Sequence, residues 1–237
     1  MKTGVKIMGI VNVNEDSFVE ESRVLGVEAA KRRISELLEG GADIIDIGAV
    51  SSRPGAAMVS AEEEWRRLEP VLEMVARDFR GYSFSLDTFR ASIVALAYQI
   101  VGRLTVNDIS SGEWDPAMLP TVGRLGLRYI AMHHQGTFET MHDEYHYDNV
   151  TDSVIEYFND FRDKAREFGI ENWILDPGFG FSKSSSDCMA LLDNLNRLKI
   201  FRRPILAGLS RKRFTRGATE ELQQKAISHG ATILRIH

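Results

Sequence analysis

A closed eight-stranded (β/α)8 TIM barrel forming a single domain is the fold class this sequence predicts, and three observations predict it. Short apolar runs of strand character alternate with stretches of helical period along the whole chain. Eight such runs can be counted, never several in series without helices between them, which favours closure over an open doubly wound sheet. The 237 residues, 43% of them hydrophobic, suffice for one large core of barrel size. No Pro/Gly/Ser-rich linker divides the chain.

The elements follow in order. Residues 6–13, Lys-Ile-Met-Gly-Ile-Val-Asn-Val, form a nearly continuous apolar strand suited to a parallel sheet buried on both faces, and they deliver Asn12 near its end. After a polar loop, 27–38 place Ala30, Ile34, Leu37 and Leu38 at helical spacing, and Gly40-Gly41 stops that helix. The second strand, 43–48, carries Asp46, a carboxylate in a buried setting that needs a partner or a ligand. Ser60 with Glu63 predicts a capping box, opening a helix whose Trp65, Leu68, Val71, Leu72 and Val75 share a face. Strand 82–86 ends at Asp87, and helix 88–101 leads to strand 104–109 with Asn107 and Asp108. Residues 116–125 form a helix or turn before strand 127–132, which ends in His133 and His134. A long amphipathic helix, 150–168, has Gly169 beyond it as a candidate C-cap. Strand 173–176, helix 187–198, strand 204–208 and strand 231–236 complete the count. Residues 214–231 are short for a loop plus a full helix, and no helix follows the eighth strand before His237, so the last helix is expected to be missing.

Composition excludes several function classes. A net charge of −5 argues against a nucleic-acid surface spread over the molecule, while leaving room for a local cationic pocket. One cysteine, Cys188, excludes an internal disulfide framework, and no zinc spacing is present. No apolar run reaches signal-peptide or membrane-span length. A soluble, cytoplasmic protein with no nucleic-acid or membrane partner is expected.

The chemistry concentrates at strand ends. In 173–183, Trp-Ile-Leu-Asp-Pro-Gly-Phe-Gly-Phe-Ser-Lys, a short strand hands Asp176 to a glycine-rich turn bearing Phe179, Phe181 and Lys183. Asp-Pro-Gly is also an ordinary turn, and repetition of the pattern decides between the readings. Asp87, Asn107 and Asp176 end three strands, where a barrel gathers polar groups at one mouth. A carboxylate there accepts paired N–H bonds from a flat, guanidine-like heterocycle. After strand seven come Ser210-Arg211-Lys212-Arg213, and Arg235 and His237 lie at strand eight. Loops after strands seven and eight often hold phosphate in barrels. Such a charge run is otherwise a solvated face, although cations at a helix start are better explained by a compensating anion. The aspartates do not resemble a metal cage; a Mg2+ would sit on Asn12 and ligand oxygens. His133, His134, His142 and His146 are too irregularly spaced for a metal cluster.

Eight segments in order, spanning essentially the chain, resemble the dihydropteroate synthase family. They are Ile10-Val11-Asn12-Val13 with Asp16-Ser17-Phe18, residues 41–55, residues 85–88, residues 106–109, residues 132–137, residues 175–181, Ser210-Arg211-Lys212 and Arg235-Ile236-His237. The resemblance implies an enzyme of folate synthesis, a sulfonamide target, that joins 6-hydroxymethyl-7,8-dihydropterin pyrophosphate to para-aminobenzoate and releases pyrophosphate, with Mg2+ and as a homodimer. It implies that Asp87, Asn107, Asp176 and Lys212 hold the pterin, with Met132 also among the substrate-binding residues. Asn12, Arg235 and His237 form the pyrophosphate site, with Asn12 on the metal. Ser52, Arg53, Pro54, Phe181 and Lys212 line the aminobenzoate site, the loop of Asp16 and Phe18 folds over it, and Asp87, Lys212 and Asp16 act in catalysis. This chain departs from the family pattern at Asn14-Glu15, where Thr-Pro is usual, at Ser52, where Thr is usual, and at Arg213. Two alternatives compete: a non-catalytic pterin-binding paralogue, and a pterin-binding methyltransferase domain working with a corrinoid protein. The latter has no need of the Ser-Arg-Lys, Arg-Pro-Gly and Arg-x-His segments.

Overall fold

The computed structural model describes residues 4–13, 20–52, 55–210, 212–215 and 217–237, and the side chains of all of these but 20–25 and 213. Asn14, Glu15, Asp16, Phe18, Arg53, Pro54 and Arg211 lie outside the described residues.

Eight parallel strands form one sheet: β1 (Lys6–Asn12), β2 (Ile44–Gly48), β3 (Phe84–Asp87), β4 (Thr105–Asp108), β5 (Arg128–Met132), β6 (Trp173–Asp176), β7 (Leu206–Ala207) and β8 (Ile233–Ile236). Their order is β6-β5-β4-β3-β2-β1-β8-β7. The free edges of β6 and β7 meet through a parallel bridge, Leu175 to Ile205, and Leu175 N–H donates to the Pro204 carbonyl at 3.0 Å. The barrel therefore closes, as the repeat predicts, with its thinnest joint at that seam.

Residues alternate between two faces because strand side chains have a period of two. Met8, Ile44, Ile130, Ile174, Leu206 and Ile233 make an apolar cluster of their own, the dry interior layer. The alternate residues, among them Ile45, Ile47, Leu86, Val106, Tyr129, Trp173, Leu175 and Leu234, join the large core under the helices. Helices α1 (Glu20–Glu39), α2 (Ala61–Asp78), α3 (Ala91–Val101), α4 (Met118–Leu125), α5 (Val150–Glu167), α6 (Ser185–Asp193) and α7 (Thr219–Ser228) cover that side. Asn149 caps α5 through Oδ1, accepting from Thr151 and Asp152 N–H, and Gly169 follows the helix at φ +68°.

Three expectations are corrected. Residues 214–231 do hold a helix: a 3-10 turn, Arg213–Thr215, is followed directly by Ala218 N–H donating to the Thr215 carbonyl at 2.8 Å. That compact turn leaves ten residues for α7, which buries Leu222 and Ala226 one turn apart. The helix expected over 187–198 begins at Ser185 and ends at Asp193, where Asn194 Nδ2 donates back to the Ala190 carbonyl, and a 3-10 turn, Leu195–Phe201, takes over. Ser60 caps α2 by accepting from Glu63 N–H, but the Glu63 carboxylate turns to Arg66 and Arg67 instead of completing the box. The full reciprocal box stands at Ser184 and Asp187, opening α6.

Candidate active site

At the C-terminal mouth a cavity of about 490 Å3 opens between the strand ends and their loops. β1 contributes exposed Asn12, β3 contributes Asp87, and β8 contributes Arg235 and the following His237. The loop after β2 adds Ser52, the loop after β6 adds Phe181 and Lys183, and the loop after β7 adds Ser210 and Lys212. Seven of the residues expected at the site thus share one wall, drawn from six different connections. Asn107, Asp176 and Met132 are buried beside that wall. Asn107 pairs in register with Asp87, and Met132 with Asp176.

A polar network organises the interior beneath the cavity. Arg235 Nε donates to Asp46 Oδ2 at 2.7 Å, and its Nη2 donates to Asp87 Oδ2 at 2.6 Å. Asp46, the strand carboxylate that needed a partner, has found one 189 residues away. Asn107 Nδ2 donates to the same Asp46 oxygen at 3.1 Å. Asp87 keeps 21% of its side-chain surface open. Burial pushes its carboxyl up to about 7, against Arg235, which pulls it down, with Asp46, Glu64 and Asp108 adding to the rise. Arg235 is held above its ordinary value by Asp46 and Asp87, which outweigh the opposing effect of burial. Burial also raises Asp176, whose Oδ1 accepts from Gly178 N–H at 2.8 Å while Lys212 and Arg235 pull its carboxyl down.

The lysines are held in opposite ways. Lys212, brought down to about 8 by burial, lies over the Phe181 ring at 4.1 Å. Lys183, brought to about 7 by burial, turns its ammonium inward to His133 Nδ1 at 2.7 Å and to the carbonyls of Phe181 at 3.1 Å and Gly178 at 3.2 Å. The cation that the glycine-rich stretch offered a ligand is thus largely committed to folding its own loop. Gly178 (φ +70°) is required there, since a Cβ would stand 2.0 Å from the His133 carbonyl oxygen.

The four histidines go to four environments. His133 meets Lys183, and burial holds it well below its usual range. Burial brings His134 to about 4, edge-on to Trp114 at 5.3 Å. His146 approaches Asp148. His142 was missed as a site residue: its Nε2 lies 2.5 Å from the Ser52 carbonyl and its ring stacks on Phe181 at 5.0 Å, tying two walls together. No signal in the sequence separated it from its neighbours.

A barrel mouth that sets carboxylates and a carboxamide beside lysine, arginine and an aromatic wall defines an enzyme for a flat polar heterocycle carrying an anionic group. Residues 8–237 match the family model described as pterin binding enzyme. A mitochondrial bifunctional folate synthesis protein of Pisum sativum is 37% identical over 98% of this chain and 50% of its own length, so the chain spans about half of that relative. Dihydropteroate synthase of Synechocystis is 34% identical over 98% of this chain and 84% of its own. The Xanthomonas albilineans dihydropteroate synthase structure with 4-aminobenzoic acid superposes with a TM-score of 0.87 at 36% identity, covering 98% of this chain and 87% of that one. A second structure from that organism, in complex with 7,8-dihydropteroate, gives 0.82 at 32%, covering 98% and 87%. The chain belongs to the dihydropteroate synthase family of pterin-binding enzymes, the family its motifs resemble. These relatives are synthases, so the corrinoid methyltransferase alternative is not favoured.

Proposed function

We propose that this chain carries out its family's transfer reaction, condensing 6-hydroxymethyl-7,8-dihydropterin pyrophosphate with para-aminobenzoate to give 7,8-dihydropteroate and pyrophosphate. The observation that carries the proposal is the single cavity in which Asp87, Lys212 and Arg235 stand together beside Ser52 and Phe181. Asp87, Asn107 and Asp176 receive the pterin's ring N–H and amino groups, and Lys212 and Met132 complete that subsite. Arg235 and His237 face the pyrophosphate, and Ser52, Arg53, Pro54 and Phe181 receive the aminobenzoate. In the transfer, the aminobenzoate nitrogen bonds to the pterin methylene as the methylene's C–O bond breaks. The electron pair leaves with pyrophosphate, and the nitrogen loses a proton to solvent or to the departing phosphate. The carboxylates stabilise positive charge on the methylene, and the cations stabilise charge on the leaving group. Asp16 and Phe18 belong to the loop that excludes water during the step.

Mg2+ fits the donor set. Asn12 offers one exposed amide oxygen on the cavity wall, and among the described residues no cluster of three His, Cys, Asp or Glu competes for a cation. Such an ion keeps waters and substrate oxygens as its other ligands and offsets phosphate charge when bound. One working domain, a homodimer and a cytoplasmic setting complete the proposal; sedimentation tests the dimer. No helix among the described residues is long and apolar enough to cross a membrane.

Calorimetry with each substrate separately, followed by a steady-state assay of dihydropteroate with Mg2+, tests the reaction. Binding of both substrates with product formed is expected. Pterin binding without any product would replace the synthase with the non-catalytic paralogue.

A further inference from the structure

We propose that Asp46 is the positioning residue of this site, the buried acceptor that sets which end of the Asn107 amide meets the ligand and how Arg235 is shared with Asp87. The inference rests on the pterin reading of the cavity and goes beyond it, because Asp46 is wholly buried and not on the cavity wall.

Three observations support it. One oxygen, Asp46 Oδ2, receives both Arg235 Nε at 2.7 Å and Asn107 Nδ2 at 3.1 Å. A carboxylate bound to a guanidinium only accepts, so the amide must turn its NH2 towards Asp46, leaving Oδ1 as the end that can accept from a ring N–H or amino group. Without Asp46, an Asn amide can rotate and offer the ligand a donor where an acceptor is needed. Among the described residues the second oxygen, Asp46 Oδ1, finds no protein partner, nor does Ser85 Oγ, its neighbour in register on β3. A buried carboxylate in that state is costly, and a strand that needed only filling would carry an apolar residue, as it does two positions earlier at Ile44.

The third observation is the position of Asp46 in the charge field at Asp87. The charges that act most on Asp87 are Arg235 from β8, which it contacts, then Asp46 from β2, Glu64 from α2 and Asp108 from β4. Arg235 favours the ionised carboxylate and the three acids oppose it. Neutralising Asp46 removes one opponent and leaves the guanidinium to Asp87 alone. Asp87 then ionises at lower pH.

The test is calorimetry of the 237-residue chain with 6-hydroxymethyl-7,8-dihydropterin pyrophosphate across pH 5–9, for wild type, Asp46→Asn and Asp46→Ala. Asp46→Asn keeps an acceptor and loses the charge, so affinity should fall about threefold; Asp46→Ala loses both and should fall more than about tenfold. In both variants the acid side of the affinity profile should move to lower pH, a displacement that a merely structural role does not produce. If Asp46→Ala does not fold, Asp46→Asn carries the test by its profile. Wild-type affinity and an unmoved profile in Asp46→Asn overturn this inference alone. A wild type that does not take the pterin overturns the site reading and this inference with it.

Discussion

Two layers of the barrel interior are separated by only two residues along the same strands, yet they obey different rules. The lower layer, Met8, Ile44, Ile130, Ile174, Leu206 and Ile233, is dry aliphatic packing. Two positions on, three of these strands present Asp46, Asp176 and Arg235, and Met132 opens the aromatic patch with Phe89, Phe138 and Phe181. Because strand side chains repeat every two residues, a single periodic rule points both layers inward. Only the chemistry of the residue decides which layer stabilises and which binds. The lower layer gains from leaving water; the upper layer loses by it, and holds its charges by pairing Arg235 with Asp46 and by giving Asp176 the Gly178 N–H.

The comparison can be broken most forcefully from below. Ile174→Ala removes a 2%-exposed side chain from the dry layer and should cost about 2–5 kcal/mol in urea melts. The pterin affinity of the folded protein should be unchanged; a large affinity loss would mean the layers are not separable. Gly178→Ala blurs the boundary from above, since this mouth residue is needed for backbone shape. Its positive φ and the 2.0 Å approach to the His133 carbonyl should cost about 1–3 kcal/mol or more, read as a lowered melting temperature.

Asp176→Ala sharpens the contrast. It should weaken pterin binding by about 1–3 kcal/mol, because buried donors of the ligand lose their acceptor. Its melt should move less than that of Ile174→Ala, because burial raises the Asp176 carboxyl and so makes its charge a cost to folding at neutral pH. Unchanged calorimetric affinity would place the pterin elsewhere.

A further effect concerns pH. Lys183 and Lys212 have folded values of about 7 and about 8, below the ordinary 10.5. Their contribution is therefore complete above about 10.5 and is lost as pH falls through those values, so wild-type stability should rise from pH 7 towards 10. Lys183→Met should flatten that slope; an identical slope in the variant would place its source elsewhere.

Much of this was legible in the sequence, for identifiable reasons. Strands such as Trp173–Asp176 announce themselves because burial on both faces demands a continuous apolar run, and the polar residue that ends the run then marks the mouth. Asn12, Asp87, Lys212, Arg235 and His237 were found in this way, and the cavity gathers them. The pairing among them was hidden. That Arg235 reaches Asp46 and Asp87 follows from barrel closure, which sets β8 beside β1 and leaves no trace in local spacing. Lys183 was equally opaque, because an ammonium aimed at a ligand and one aimed at its own loop's carbonyls are written with the same letter. At β7 the expected strand shrank to two residues, Leu206–Ala207, with Ile205 left as a bridge.

That bridge makes the barrel a ring with one thin link. Among the described residues β6 and β7 pair through the isolated Leu175–Ile205 bridge, whereas β1 and β2 pair residue by residue from Met8 to Asn12. In amide hydrogen exchange, the Leu175 amide should be released through local opening well before those of the β1–β2 ladder. The ring would then part beside Asp176 while the opposite wall stays intact, so the barrel's thinnest joint adjoins the proposed ligand site.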